Sequence, residues 1–163
     1  MRKTSSLSAD KNRGIAAGAE TIAAISTAPG LGAVAIVRLS GPQAWEMARR
    51  LVKNPGRFDS LQERITRVLS LVHPRTGNPL DRALIVKYKA PESFTGENVV
   101  EFQCHGGYTA PAAVLGAVKA AGARQALPGE FTRRAFINGK MDLAEAESVD
   151  LMVKSRSEAG RIL

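Results

Sequence analysis

Ile22-Ala23-Ala24-Ile25-Ser26, Thr27-Ala28-Pro29-Gly30-Leu31-Gly32 and Ala33-Val34-Ala35-Ile36-Val37-Arg38-Leu39 decide the fold. Two short apolar runs flank a Pro-Gly connection that a helix does not tolerate, so residues 22–26 and 33–39 read as two strands. The second is apolar on both faces until Arg38. A cation at the end of a buried strand needs a carboxylate or an anionic ligand opposite it. Ser40 then reads as the N-cap of a helix with Pro42 near its first turn and Trp45, Ala48, Leu51 and Val52 at helical spacing. Asn54-Pro55-Gly56 ends that helix.

Working outward, residues 64–72 and 82–88 are rich in β-formers and flank turn chemistry at His73–Pro79, which predicts an antiparallel hairpin. Residues 99–104 form a fifth strand. After Gly106-Gly107 a helix begins with Pro111 in its first turn, carries Val114, Leu115 and Val118, and stops at Gly122. Residues 128–141 read as an irregular basic loop. Asp142 with Glu145 three residues later is the signature of a capping box for a last helix. Met141, Leu143, Ala146, Val149, Met152 and Val153 stripe that helix with apolar side chains, and the stripe needs cover from a second chain or from a further part of the protein. Runs of strands with few interleaved helices indicate an α+β fold, here a mixed or antiparallel five-stranded sheet with two or three helices.

The 163 residues fit one domain and an appendage. Aromatics make up 5% of the chain, so the interior is packed from small aliphatic side chains. A single cysteine, Cys104, excludes an internal disulfide, and with only His73 and His105 beside it a protein-only structural zinc site is not expected. A reducing cytoplasm is the expected location. No window has the apolar run that a membrane span requires. Residues 1–20 read as a disordered extension, whose basic, Ser/Ala-rich composition also fits a transit peptide. The formal charge of +8 indicates an anionic partner. The basic residues concentrate between Arg38 and Arg75 and from Arg124 to Lys140, but aromatics are too few to form stacking platforms for single-stranded nucleic acid.

Glu101 lies in an apolar strand between Val100 and Phe102. Alternation alone leaves it facing either solvent or a pocket. In a pocket, its two parallel acceptors match a guanidine-like N–H pair, as on Arg or on the aminopyrimidinone edge of guanine and pterins. His105 is either a general base or a surface histidine. The glycines after it permit close backbone approach where strand meets helix, which leaves N–H groups for a ligand. Cys104 reads as a buried strand residue. Ser93-Phe94-Thr95-Gly96 is either a plain turn or a loop lining the same end of the sheet as Arg38 and Glu101. Arg133, Arg134 and Lys140, bracketed by Gly129 and Gly139, are either surface charges or a cluster for a multiply charged acid. No Gly-x-x-x-x-Gly-Lys-Ser/Thr pattern exists, so these residues do not hydrolyse GTP or ATP by a P-loop mechanism.

Four ordered segments, residues 27–42, Pro91-Glu92-Ser93-Phe94-Thr95-Gly96-Glu97-Asn98, His105-Gly106-Gly107 and residues 128–146, resemble the N-terminal region of the tRNA-modification GTPases MnmE, also called TrmE. The resemblance covers residues 21–163. It implies a formyl-tetrahydrofolate-binding and dimerisation domain over 21–140, similar to the folate-binding domain of aminomethyltransferases, and the start of a helical domain over 141–163. It also implies that the chain is a fragment or a naturally short gene, with a GTPase domain using GTP, magnesium and potassium, and a Cys-containing C-terminal motif, outside these residues. In this family the homodimer and a flavoprotein partner, MnmG (GidA), install an aminomethyl-type group at C5 of the tRNA wobble uridine. Arg38, Glu101 and Lys140 match the positions the family uses to contact 5-formyltetrahydrofolate. Two other readings remain: a stand-alone folate-dependent enzyme resembling aminomethyltransferases, and a tRNA-binding module driven by charge.

Overall fold

A computed structural model describes residues 20–154. The expected N-terminal extension lies outside the described residues except for Glu20, and so do residues 155–163. Strands β1 (Ile22–Ile25), β2 (Val34–Ser40), β3 (Arg67–Val72), β4 (Pro79–Tyr88), β5 (Val99–His105) and β6 (Arg124–Gln125) form one sheet in the order β3-β4-β5-β2-β1-β6. Every pairing is antiparallel except the parallel β1–β6 pair. The α+β class and the β3–β4 hairpin are as the sequence predicts. A sixth strand is added by the two residues of β6, too short to leave a periodic signal.

Helices α1 (Ala44–Arg50), α2 (Pro55–Asp59), α3 (Thr109–Ala120), α4 (Glu130–Ile137) and α5 (Leu143–Lys154) complete the described residues. Alternation sorts each strand. Val37 and Leu39 of β2, Val100, Phe102 and Cys104 of β5, and Ala83 and Ile85 of β4 are buried in one core with Ala44 and Ala48 of α1 and Val114, Ala117 and Val118 of α3. The alternate residues Val34, Ile36, Arg38 and Ser40 face the other side, paired in register with His105, Gln103, Glu101 and Val99. Near β1 and β2 this second face carries α4 and α5. Further out none of the described helices covers it, and Val68, Leu84 and Val34 are exposed there.

Three local expectations change. Ser40 does not cap α1: it ends β2, and the helix begins after Gln43 without a side-chain cap. Pro55 opens α2 rather than closing a helix, the first-turn position where its missing N–H costs nothing. Residues 128–141 are not a loop, because α4 occupies their centre between Gly129, which is left-handed at φ 72°, and a glycine stop at Gly139. The Asp142–Glu145 capping box is present in full: each backbone N–H donates to the other residue's carboxylate at 2.8 Å.

Lys87 points into the helix-covered side and is buried. Its Nζ donates to Phe58 O at 3.3 Å and sits over the rings of Trp45 and Phe58, which ties α1 and α2 to β4.

Candidate functional site

Arg38 and Glu101 stand opposite each other in the β2–β5 register on the face away from the helices. The carboxylate predicted to need donors meets the cation predicted to need an acceptor. Arg38 Nε donates to Glu101 Oε1 at 2.9 Å, and its NH2 forms an ion pair with the same oxygen at 2.8 Å. The Arg38 guanidinium also lies over the rings of Phe94 and Phe131, with centroids 5.1 and 5.6 Å away. Glu101 is therefore neither in the core nor in open solvent. Its second oxygen, Oε2, accepts nothing from the described residues and is not a buried orphan, so it remains available to a ligand.

A cleft of about 520 Å³ opens over this pair, lined by Arg38, Arg64, Tyr88, Glu92, Ser93, Phe94, Val99, Glu101 and Lys140. All three residues singled out by the resemblance are on its wall. The turn at Ser93 and Phe94 lines it as the loop reading expected. His105, Gly106 and Gly107 do not, since they sit at the other end of β5. Gly106 has a packing role instead: a Cβ there would collide with the carbonyl of Gly32. His105 is exposed and donates from its backbone N–H to Asp81 Oδ2 at 2.9 Å, while its Nδ1 meets Asp81 Oδ1 at 2.6 Å. Cys104 is buried, and burial pushes its thiol pKa up, as a strand residue without activation should show.

Arg64 and Tyr88 were not foreseen as site residues. Arg64 reads as a strand residue by composition, yet it precedes β3 and adopts φ 62°, a left-handed conformation rare for a long side chain. Its NH2 reaches Glu92 Oε2 at 3.2 Å across the cleft mouth. Burial, then the nearby Glu101 charge, raise the Tyr88 phenol above the ordinary range and keep it protonated.

Lys140 reaches the cleft through α4. The N–H of Gly139 bonds Phe136 O and the N–H of Lys140 bonds Ala135 O, a Schellman arrangement with Gly139 at φ 67°. Arg134, read either as a surface charge or as part of a cluster with Lys140, is neither: it lies outside the cleft wall and is buried, with Glu97 and Glu130 as partners. A second, larger groove of about 1000 Å³ shares Arg38 and Phe94 with the first and runs between β1, α4 and the exposed Leu143 and Leu151 of α5. The side chains of Met152 and Val153, part of the predicted stripe, lie outside the described residues.

The sequence profile described as GTP-binding protein TrmE N-terminus matches residues 21–140. The chain belongs to that family. The TrmE N-terminal match spans all the elements that build the cleft and ends on Lys140 itself. Over 144 residues the chain is 47% identical to a protein named tRNA modification GTPase MnmE from a Nitratiruptor species, covering 88% of this chain and 31% of that protein. A protein of the same name from Chlamydia pneumoniae is 48% identical over 144 residues, covering 88% and 32%. The TrmE N-terminal chain thus spans under a third of the length of these curated relatives. Among the described residues no helix is long and apolar enough to cross a membrane.

Proposed function

We propose that this chain is the folate-binding, dimer-forming N-terminal part of a cytoplasmic tRNA-modification GTPase, which acts with the flavoprotein MnmG to add a carboxymethylaminomethyl-type group at C5 of the wobble uridine. The carrying observation is the half-occupied carboxylate: Glu101, on the cleft wall, gives Oε1 to Arg38 and takes no hydrogen bond at Oε2 from the described residues. The donor set fits 5-formyltetrahydrofolate. A pterin edge offers N–H groups to Glu101, which Arg38 holds in place, the Phe94 ring offers an apolar face, and Lys140 and Arg64 offer charge to an acidic glutamate tail. Bound there, the folate would supply the one-carbon unit. The chain's own residues hold and orient it, and GTP turnover belongs to the remainder of such a protein.

Calorimetric titration of 5-formyltetrahydrofolate against the chain and its Glu101→Ala variant tests this. The expected result is saturable binding by the parent chain and a loss of about tenfold or more in the variant, the cost of removing a charge-assisted hydrogen bond. Equal affinity would remove Glu101 from the site. Folate-independent binding of tRNA that weakens steeply with salt would favour the charge-driven module instead.

A further inference from the structure

Beside the cleft, but outside its wall, lies a chain of buried charges. Glu97 follows the Phe94 turn, and both its oxygens accept from Arg134 NH1 at 3.1 Å. The Arg134 side chain is 5% exposed and that of Glu97 10%. Arg134 also donates to Glu20 O at 2.9 Å and to Glu130 Oε1 at 3.1 Å, and Glu130 in turn accepts from Arg124 at 2.6 Å. On its other side Glu97 Oε2 accepts a hydrogen bond from the Ser40 hydroxyl at 2.7 Å. Ser40 has one proton, so the 2.7 Å contact between Ser40 and Thr95 is donated by Thr95. Thr95 then accepts from the Glu97 N–H at 3.3 Å, and the ring of hydrogen bonds closes.

This network joins three pieces that each carry a cleft residue. Ser40 ends β2, which bears Arg38. Thr95 and Glu97 belong to the turn that bears Phe94. Arg134 is on α4, whose C-terminal turn bears Lys140. Two further contacts run parallel to it: Asn138 Nδ2 donates to Thr95 O at 2.7 Å, and the Lys140 stem crosses Gly96, where a Cβ would lie 3.2 Å from Lys140 Cγ. Burying an ion pair costs desolvation that only good geometry recovers, so such a pair is better suited to fixing a register than to adding stability. Neither Glu97 nor Arg134 lines the cleft.

We propose that Glu97 and Arg134 are positioning residues, a buried bolt that holds α4 on the Phe94 turn and thereby sets Lys140 against Arg38 and Glu101. Gly96 is the ledge that lets the Lys140 stem pass. The ligand arm of the test rests on the folate reading, and the second arm does not.

In the ligand arm, the 163-residue chain and its Glu97→Gln, Lys140→Ala and doubly substituted variants are titrated with 5-formyltetrahydrofolate. Each single change weakens binding about tenfold, and the double variant is no weaker than Lys140→Ala alone, because Glu97 acts through Lys140. A double variant weakened about a hundredfold, the additive result, overturns the proposal and leaves the folate site standing. In the second arm, the nuclear Overhauser contact between the Gly96 α-protons and the Lys140 γ-protons is followed without ligand. It disappears in Glu97→Gln while the cross-strand contacts of Arg38 and Glu101 remain. If it persists at full strength, the bolt does not set Lys140. Loss of that contact in Glu97→Gln, with a parent chain that binds no folate, would refute the ligand and keep the bolt. If Glu97→Gln does not fold, Arg134→Lys, which keeps the charge but loses the fork that reaches Glu97, Glu130 and Glu20 O, takes its place in both arms with the same expected and overturning results.

Discussion

Arg38 and Glu101 were legible in the sequence because a charge in an apolar strand is costly until it is answered, and the strand register supplies the answer. Lys140 was legible only as one of three cations between two glycines, and it was the resemblance that picked it out of them, since nothing in its own surroundings separates it from a surface lysine. Arg134 misled for the opposite reason: beside Arg133 it reads as one more exposed cation, and only the fold shows that it is buried among carboxylates. The glycines after His105 also admit two readings, a ligand cradle or a close approach, and Gly32 decides for the second. Gly106→Ala is therefore expected to destabilise the chain by about 3 kcal/mol, the range for forcing a methyl against backbone that cannot yield. Urea midpoints measure this. A loss within a few tenths of a kcal/mol would show that the β2 entry loop moves aside freely.

At the scale of elements, α4 was hidden by its glycines and charges. Its eight residues are shorter than the stretch over which a helical period is read, and Gly129 and Gly139 read as loop punctuation although they are the helix's own boundaries. The one local sign was Glu130 with Arg134 four residues on, a helical ion pair. That pair carries a pH dependence. Hydrogen bonds from Arg124, then from the Leu127 N–H and Arg134, outweigh burial and hold the Glu130 carboxyl at about 2, below its ordinary 4.5. A depressed carboxyl stabilises the folded chain fully above the unfolded value, and the contribution fades as pH falls from about 4.5 toward 2. The span corresponds to about 3 kcal/mol. Urea unfolding at about pH 6 and pH 3 should show Glu130→Gln well below the parent at the higher pH and the gap narrowed by roughly half or more at the lower. An unchanged gap would place the Glu130 contribution outside its titration.

For the molecule as a whole, the sheet is lopsided. Among the described residues one face is sealed by α1, α2 and α3, while the other is half covered by α4 and α5 and half bare. Alternation predicted which residues share a face but not that one face would stay open, because exposed Val and Leu look the same in sequence as buried ones. The bare half has Val68, Leu84, Gln103 and Ile36 in one cross-strand row and Val34 beside His105 in the next. The cleft lies on this same face, two residues along the strands from the row, so a second copy covering the row would bring its own surface to the cleft mouth. The proposed dimer thus has a face that fits it, largely apolar and continuous with the ligand site. Leu84, exposed at mid-strand and packed into no core cluster, is the residue to charge. Leu84→Lys is expected to shift sedimentation from dimer to monomer while leaving the urea midpoint of unfolding within about 0.5 kcal/mol at monomeric concentration. A variant that stays dimeric would move the interface to the α5 side, where the exposed Leu143 and Leu151 offer the next apolar surface.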